Sequence, residues 1–274
     1  MKTFNGKAIY NPSGKAGEYS YWACNFYVGC SNDCSYCYCK KGILGHVMGN
    51  TSPTLKKCFK NELHALEVFE KELKANLNEL HKHGLFFSFT TDPCLKETIG
   101  LTQKAINIAL KNNVPCKLLT KCVDWVKNPY GGMPVLWNNA KHYKNLLAFG
   151  FTLTGHDELE PNASSNAERI EAMKRLHEAG FKTWASIEPI IDFDSSWRMI
   201  VDSWAYCDLF KIGLESGGKY DINELIEFIK SVNLFLSDLL KTNIYWKDSI
   251  LKAAGFDRDS LPENCVYRDF NLFQ

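Results

Sequence analysis

The sequence predicts an α/β fold, a partial (β/α)6 barrel with N-terminal and C-terminal extensions. Three observations lead there. Between residues 22 and about 240, short apolar runs rich in β-branched and aromatic residues alternate with helix-period segments, as in a parallel sheet with helical crossovers. Six strands can be counted, too few for a closed eight-stranded barrel. Thiols, hydroxyls, a lysine and carboxylates recur just past the strand ends, where folds of this class collect ligands.

In chain order, residues 1–21 carry Gly, Asn, Ser, Tyr and Lys and read as irregular lead-in. Trp22–Val28 is aromatic and β-branched and forms the first strand, closed by Gly29. Cys30-Ser-Asn-Asp-Cys34-Ser-Tyr36-Cys37 follows it. Over residues 61–83, Leu63, Leu66, Phe69, Leu73, Leu77 and Leu80 recur at helical spacing, with Gly84 as the stop. His64, His81 and His83 read as surface or partly buried side chains of that helix.

Leu85–Phe89 is the second strand and ends in Thr90-Thr91-Asp92-Pro93; a helix around Thr102–Asn112 comes next. Pro115–Leu119 is the third, ending in Thr120-Lys121. A Gly- and Pro-interrupted stretch then holds Trp125, Trp137 and a short helix near 138–145. Leu146–Thr152 is the fourth strand. Ser165-Asn-Ala-Glu168 is a capping box opening a helix to Ala179, with Ile170, Met173 and Leu176 as its buried stripe. Lys182–Ile187 is the fifth strand, ending at Glu188-Pro189, with a helix near 195–205 behind it. Asp208–Gly213 is the sixth, ending at Leu214-Glu215; Asp221 caps a helix running to about Leu240. Residues 241–274 read as a short helix and a closing segment. No linker or repeat interrupts the chain, so 1–274 is expected to form one domain, with its core at about 22–240.

Hydrophobic residues make up 45% and charged residues 23%, an ordinary globular balance, and the net charge of +1 gives no global pull toward nucleic acid or membrane. Lys40, Lys41, Lys56, Lys57 and Lys60 could line a local basic groove, although a solvated surface is the plainer reading. The chain begins without the apolar core of a signal peptide, and no apolar run approaches the ~18 residues of a membrane helix. A cytoplasmic location follows as the expectation, with the scattered members of the 11 cysteines as small buried hydrophobes.

Three thiolates within eight residues can converge on one inorganic centre. A 4Fe–4S cluster held by Cys30, Cys34 and Cys37 would keep one iron free of protein ligands, a place for a small molecule to bind and react. Zinc with Cys39 or Cys24 as fourth ligand, or a disulfide in a secreted chain, are the alternatives. A second cluster on Cys24 or Cys39 has no further paired-cysteine motif behind it.

The C-x3-C-x2-C spacing, with an aromatic before the last cysteine, resembles the signature of the radical S-adenosylmethionine (SAM) enzymes. The resemblance implies that the amino and carboxylate groups of SAM chelate the open iron. One electron then splits SAM into methionine and a 5′-deoxyadenosyl radical, which abstracts hydrogen from a substrate. Thr-Thr-Asp-Pro, Leu-Leu-Thr-Lys, Phe-Thr-Leu-Thr and Ile-Glu-Pro at successive strand ends resemble the spore photoproduct lyase-like branch over about residues 22–215. That branch implies Tyr36 beside the adenine, and Thr91, Lys121 and Thr152 on the amino acid part or ribose of SAM. Glu188 would reach the ribose or the substrate. Thr90-Thr91-Asp92 stands where most of the superfamily has Gly-Gly-Glu. Phe89 stands where the lyase has its hydrogen-returning cysteine, which puts photoproduct repair in doubt; Cys94 and Cys122 are the nearby thiols that could face the cavity, Cys94 as a candidate catalytic residue, although a buried structural thiol is the plainer reading of each. The implied substrate is nucleic acid, through photoproduct repair-like chemistry or modification, with a peptide or small molecule as the alternative. An electron donor such as flavodoxin or ferredoxin is implied, and a partner protein stays open. From outside catalysis, a metal-stabilised binding module is the competing reading.

Overall fold

The computed structural model describes residues 3–127, 143–237 and 242–273. The lead-in forms a short strand β1 (Ile9–Tyr10) and a single turn α1 (Gly14–Gly17). The expected strand Trp22–Val28 is two pieces, β2 (Ala23–Cys24) and β3 (Tyr27–Val28). Between them Asn25 turns the chain: its backbone N–H donates to Ala8 O, its amide nitrogen to the Tyr10 hydroxyl, and its amide oxygen accepts from Phe89 N. Side-chain bonds of that kind compete with a sheet ladder and end it. The helix α2 (Gly42–Met48) and strand β4 (Thr54–Leu55) follow the cysteine loop, and β4 pairs antiparallel with β3.

The expected helix 61–83 is also two, α3 (Glu62–Ala75) and α4 (Leu77–His83). Asn76 sits between them and returns its amide to Glu72 O, the same local competition within a helix-period run. Next come β5 (Leu85–Phe87), α5 (Ile99–Lys111), β6 (Cys116–Thr120) and α6 (Asp124–Lys127). The expected helix near 138–145 and Trp137 lie largely or wholly outside the described residues. Strand β7 (Leu147–Thr152) leads to α7 (Asn166–Glu178), opened by the expected box: Ser165 accepts from Glu168 N while the Glu168 carboxylate accepts from Ser165 N. Then β8 (Lys182–Ile190), α8 (Phe193–Ser203), β9 (Leu209–Leu214) and α9 (Ile222–Ser237) alternate as expected. The closing segment holds a strand that the sequence reading lacks: β10 (Asn243–Trp246) pairs parallel with β9 before α10 (Asp248–Ala254).

The main sheet runs β1-β2-β5-β6-β7-β8-β9-β10. Among the described residues, seven of its strands are mutually parallel, one more than expected, and only β1 is antiparallel. Sequential parallel strands need crossovers, and the helices supply them. One sheet face packs on those helices in the large core, which includes Phe69, Ile106, Phe149 and Ile229. The other face buries Ala23, Phe86, Ala148, Trp184, Leu209 and Tyr245 among the strands themselves, closed by Leu272 from the C-terminal segment. Both faces are covered, so β7 is buried at all six positions and reads as a continuous apolar run. Gly150 is required here: a Cβ on it would stand 2.1 Å from the Trp184 ring.

Side chains alternate along a strand, so positions two residues apart share a face. Continuing the inner row upward from Phe86, Ala148, Trp184 and Tyr245 gives Ser88, Thr152, Ser186, Glu188 and Lys247. The polar end of the molecule is thus the C-terminal extension of an apolar row.

Candidate functional site

A cavity of about 410 Å³ opens at that end. Cys30, Cys34 and Cys37 line it, as do Tyr36, Thr91, Lys121, Thr152 and Glu188, so eight side chains chosen from the sequence share one space. Cys94 is buried and does not line it, nor does Cys122, whose thiol lies 3.4 Å from Asn32 Oδ1. Cys94 therefore lies where its plainer reading, a buried structural thiol, puts it, and not where a catalytic role in the cavity would. Thr154 also points elsewhere, fully buried, while Glu215 stands at the cavity wall and pairs with Lys41.

The cysteine loop is held by protein groups. Asp92 accepts four hydrogen bonds: Cys94 N and Thr120 Oγ1 donate to Oδ1, and Asn32 Nδ2 and Lys121 N donate to Oδ2. One carboxylate thereby fastens the loop, through Asn32, to the end of β6. The Thr91 hydroxyl donates to Gly29 O at 2.7 Å, and Cys30 N donates to Asn50 O at 2.9 Å. Gly29 has φ +82°, and a Cβ there would meet Ser52 O at 2.5 Å, so the loop entry needs glycine.

Burial pushes the Cys30 thiol up to about 12 and raises Cys34 as well. Cys37 is held down at about 6 because the neighbouring Cys39 thiol hydrogen-bonds to it, which outweighs its burial. Among the described residues, no three His, Cys, Asp or Glu side chains are grouped so as to hold one metal ion. Cys30, Cys34 and Cys37 nonetheless line one cavity, and soft thiol ligands suit an iron–sulfur group.

Behind Tyr36 lies a polar wall that the sequence reading missed. The Tyr36 hydroxyl donates to Glu160, whose carboxylate pairs with Arg169 at 2.5 Å, both side chains fully buried. Arg169 also donates to Thr152 O at 2.9 Å. Lys121 Nζ lies 4.0 Å from Glu160 and 5.4 Å from the Tyr36 ring centroid. Burial opposes the charge on Lys121, but Tyr36, Cys34 and Glu160 outweigh it and hold the ammonium above the usual lysine range. Glu160 sits in a short loop and Arg169 on a capped helix, so neither stands out as a linear motif.

The opposite wall is a second buried network. Tyr19 donates to Glu188 Oε2 at 2.5 Å and shares a 2.7 Å hydrogen bond with Ser186 Oγ. Lys247 donates to both Glu188 oxygens at 2.9 Å and lies 3.6 Å from Glu18. Gly213 makes room for it, since a Cβ there would stand 2.7 Å from Lys247 Cδ. Lys247 and Tyr19 escaped the sequence reading because their elements, β10 and the lead-in, were not assigned to the sheet or to the site. The cavity therefore joins a thiol wall to two hydrogen-bonded polar walls, as a site for a polar, zwitterionic ligand beside a metal centre requires.

A family model of the radical SAM superfamily matches residues 24–194. No curated protein matches the chain. Solved structures resemble it, among them these two. One is spore photoproduct lyase carrying a Cys-to-Ser mutation, with TM-score 0.51 and 13% identity over 93% of this chain and 63% of that one. The other is Streptococcus suis SuiB bound to S-adenosylmethionine, with TM-score 0.47 and 11% identity over 67% of this chain and 45% of that one. The chain thus spans less than two thirds of either, and the lyase comparison speaks for the fold.

Proposed function

The chain belongs to the radical SAM superfamily of enzymes, whose members work with an iron–sulfur cluster and SAM, and from that premise we propose that Cys30, Cys34 and Cys37 hold a 4Fe–4S cluster. The observation that carries this reading is the shared cavity, which brings these three thiols together with Tyr36, Thr91, Lys121, Thr152 and Glu188. We read residues 1–274 as one domain built around it.

When bound, the cluster would supply the electron for cleaving SAM to methionine and a 5′-deoxyadenosyl radical able to take a hydrogen atom from the substrate. The residues bind and orient. Lys121, kept charged, faces the SAM carboxylate, since a buried ammonium with its counter-charge 4.0 Å away keeps N–H groups to donate. Tyr36 lies along the adenine, its ring fixed by the hydrogen bond to Glu160. Thr91 and Thr152 stand along the amino acid part and the ribose. Glu188, locked by Tyr19 and Lys247, positions the ribose or the substrate.

Nucleic acid is the substrate class we propose first, on the likeness of fold to the spore photoproduct lyase. Phe89 lines the cavity at the position of the lyase's hydrogen-returning cysteine, and Cys94 stands outside it, which favours a modification over photoproduct repair-like chemistry. The net charge of +1 favours the second reading, a peptide or small molecule. The test is anaerobic: reconstitute with iron and sulfide, add SAM and dithionite, and assay iron and 5′-deoxyadenosine. About four irons per chain with deoxyadenosine formed is the expected result; iron-free protein, or iron without SAM cleavage, overturns the reading.

A further inference from the structure

We propose that Arg169 is a positioning residue of the SAM site: by holding the charge of Glu160, it leaves the ammonium of Lys121 open for the SAM carboxylate. This rests on the reading of Lys121 as the partner of that carboxylate, and it adds the residue that keeps Lys121 available.

Three charged side chains meet behind Tyr36, and the two cations have unequal shares of the one anion. Arg169 stands 2.5 Å from Glu160 Oε2, with both side chains sealed from solvent. The Tyr36 hydroxyl donates to the other oxygen, Oε1. Lys121 Nζ lies 4.0 Å from that same Oε1, at the limit of an ion pair. Among the described residues, Lys121 has no other ion-pair partner, and no hydrogen bond ends on its Nζ. Its side chain is 18% exposed and lines the cavity. The nearby carboxylate of Asp92 is taken up by four donors, one of them the backbone N–H of Lys121. An ammonium that lines a cavity with its N–H groups uncommitted is a donor waiting for an anion.

The backbone on both sides fixes this arrangement. Ser35 N donates to Leu159 O at 2.9 Å, and Ser164 N donates to Lys121 O at 3.0 Å. The loop is thereby stitched, before and after Glu160, to the cysteine loop and to the end of β6. Arg169 is fixed from its own helix: its backbone N–H donates to Ser165 O at 3.0 Å, and its guanidinium donates to Thr152 O at 2.9 Å. A buried ion pair is a poor source of stability, because desolvation offsets the attraction. Such a pair is explained where its charges arrange something else. Here Arg169 and Lys121 against Glu160 leave one positive charge in surplus, and a single carboxylate neutralises it. With a neutral side chain in place of Arg169, Glu160 would have only Lys121 for a counter-charge. Opposite charges 4.0 Å apart attract strongly where water is scarce, so the pair would close. The ammonium would then give its N–H groups to Glu160 and be lost to the ligand. Removing both charges frees Lys121 again, and the amide oxygen introduced by Glu160→Gln still accepts from Tyr36.

The test is binding to the anaerobically reconstituted full chain. Equilibrium dialysis measures SAM and decarboxylated SAM, with iron content and the urea midpoint recorded for each variant. Arg169→Met should weaken SAM by about tenfold or more, the scale of one hydrogen bond to a charged group, and leave decarboxylated SAM within about twofold of wild type. Glu160→Gln with Arg169→Met should return SAM to within about threefold of wild type. Arg169→Lys, which keeps the charge, should also stay within about threefold. Arg169→Gln, which keeps a donor for Thr152 O, should lose as much as Arg169→Met. The Lys and Gln variants carry the test if Arg169→Met does not fold. A purely structural role predicts a different pattern: both ligands weaken together, and the double variant binds SAM no better than the single one. That pattern, equal loss in Arg169→Lys and Arg169→Gln, or neutral variants that bind SAM like the wild type would each overturn the inference and leave the reading of the SAM site standing. Wild-type protein that holds iron and binds no SAM overturns both.

Discussion

Glu160 and Arg169 form an ion pair sealed from solvent, 2.5 Å from carboxylate to guanidinium, directly behind the hydroxyl of Tyr36. Removing one member of such a pair strands the other charge, while replacing both can cost little. Glu160→Gln should lower stability by about 3–5 kcal/mol, measured as the shift in urea unfolding, and Glu160→Gln with Arg169→Met should lose clearly less. Equal losses for the two would mean that the charges do not interact.

Cluster content separates the four cysteines of the cavity. Ala at Cys30, Cys34 or Cys37 should abolish iron binding and SAM cleavage, while Cys39→Ala should keep both. Iron and sulfide analysis after anaerobic reconstitution decides it. A Cys39→Ala protein without iron would overturn the assignment of ligands.

Lys121→Ala should weaken SAM binding by roughly 10- to 100-fold, the worth of about 1.5–3 kcal/mol for a hydrogen bond to a charged group. Iron content should not change. Unaltered SAM affinity by equilibrium dialysis would remove this ammonium from the site.

Gly150→Ala forces a methyl to within 2.1 Å of the Trp184 ring, where both sheet faces are packed. Overpacking of this kind costs about 1–3 kcal/mol. A lowered thermal midpoint is expected, and one equal to wild type would show that Trp184 has room to move.

His156 bridges Glu158 and Asp192, the residue that caps α8. Burial alone would lower the pKa of His156, but the hydrogen bonds to Glu158 and then Asp192 outweigh it and hold it above its ordinary value. The pKa of Asp192 is held below its ordinary value: its own burial opposes this, and the bonds from Ser195 N and His156 outweigh it. A raised histidine stabilises the fold below its unfolded pKa, about 6.5, and that contribution is lost as pH rises through the folded value. A depressed carboxylate stabilises above its unfolded pKa and is lost as pH falls through the folded one. The loss in His156→Asn should therefore be largest near pH 5–6, about 1 kcal/mol or less for so exposed a network, and smaller at pH 9. A loss independent of pH would make the role of His156 purely one of packing.

What could be read from the sequence depended on how local its cause was. The Cys30–Cys37 spacing and the Ser165–Glu168 box are each complete within a few residues, and both were legible. Strand β10 was not: its four residues become a strand only by pairing with Leu209–Ile212. Lys247 was lost with it, because its place in the cavity follows from that register. Glu160 and Arg169 resemble any acid in a loop and any base on a helix until β7 brings them behind Tyr36. The splits at Asn25 and Asn76 have a local cause, amide side chains bonding to nearby backbone, but the surrounding apolar periodicity masks it.

The grip of Asp92 on Asn32, Thr120 and Lys121 has a bearing on how such an enzyme ages. The socket is shaped by a carboxylate and three neighbours, none of which leaves with the iron. The loop's shape therefore comes from protein bonds alone, so a chain that lost the proposed centre would keep the same receptacle for its return.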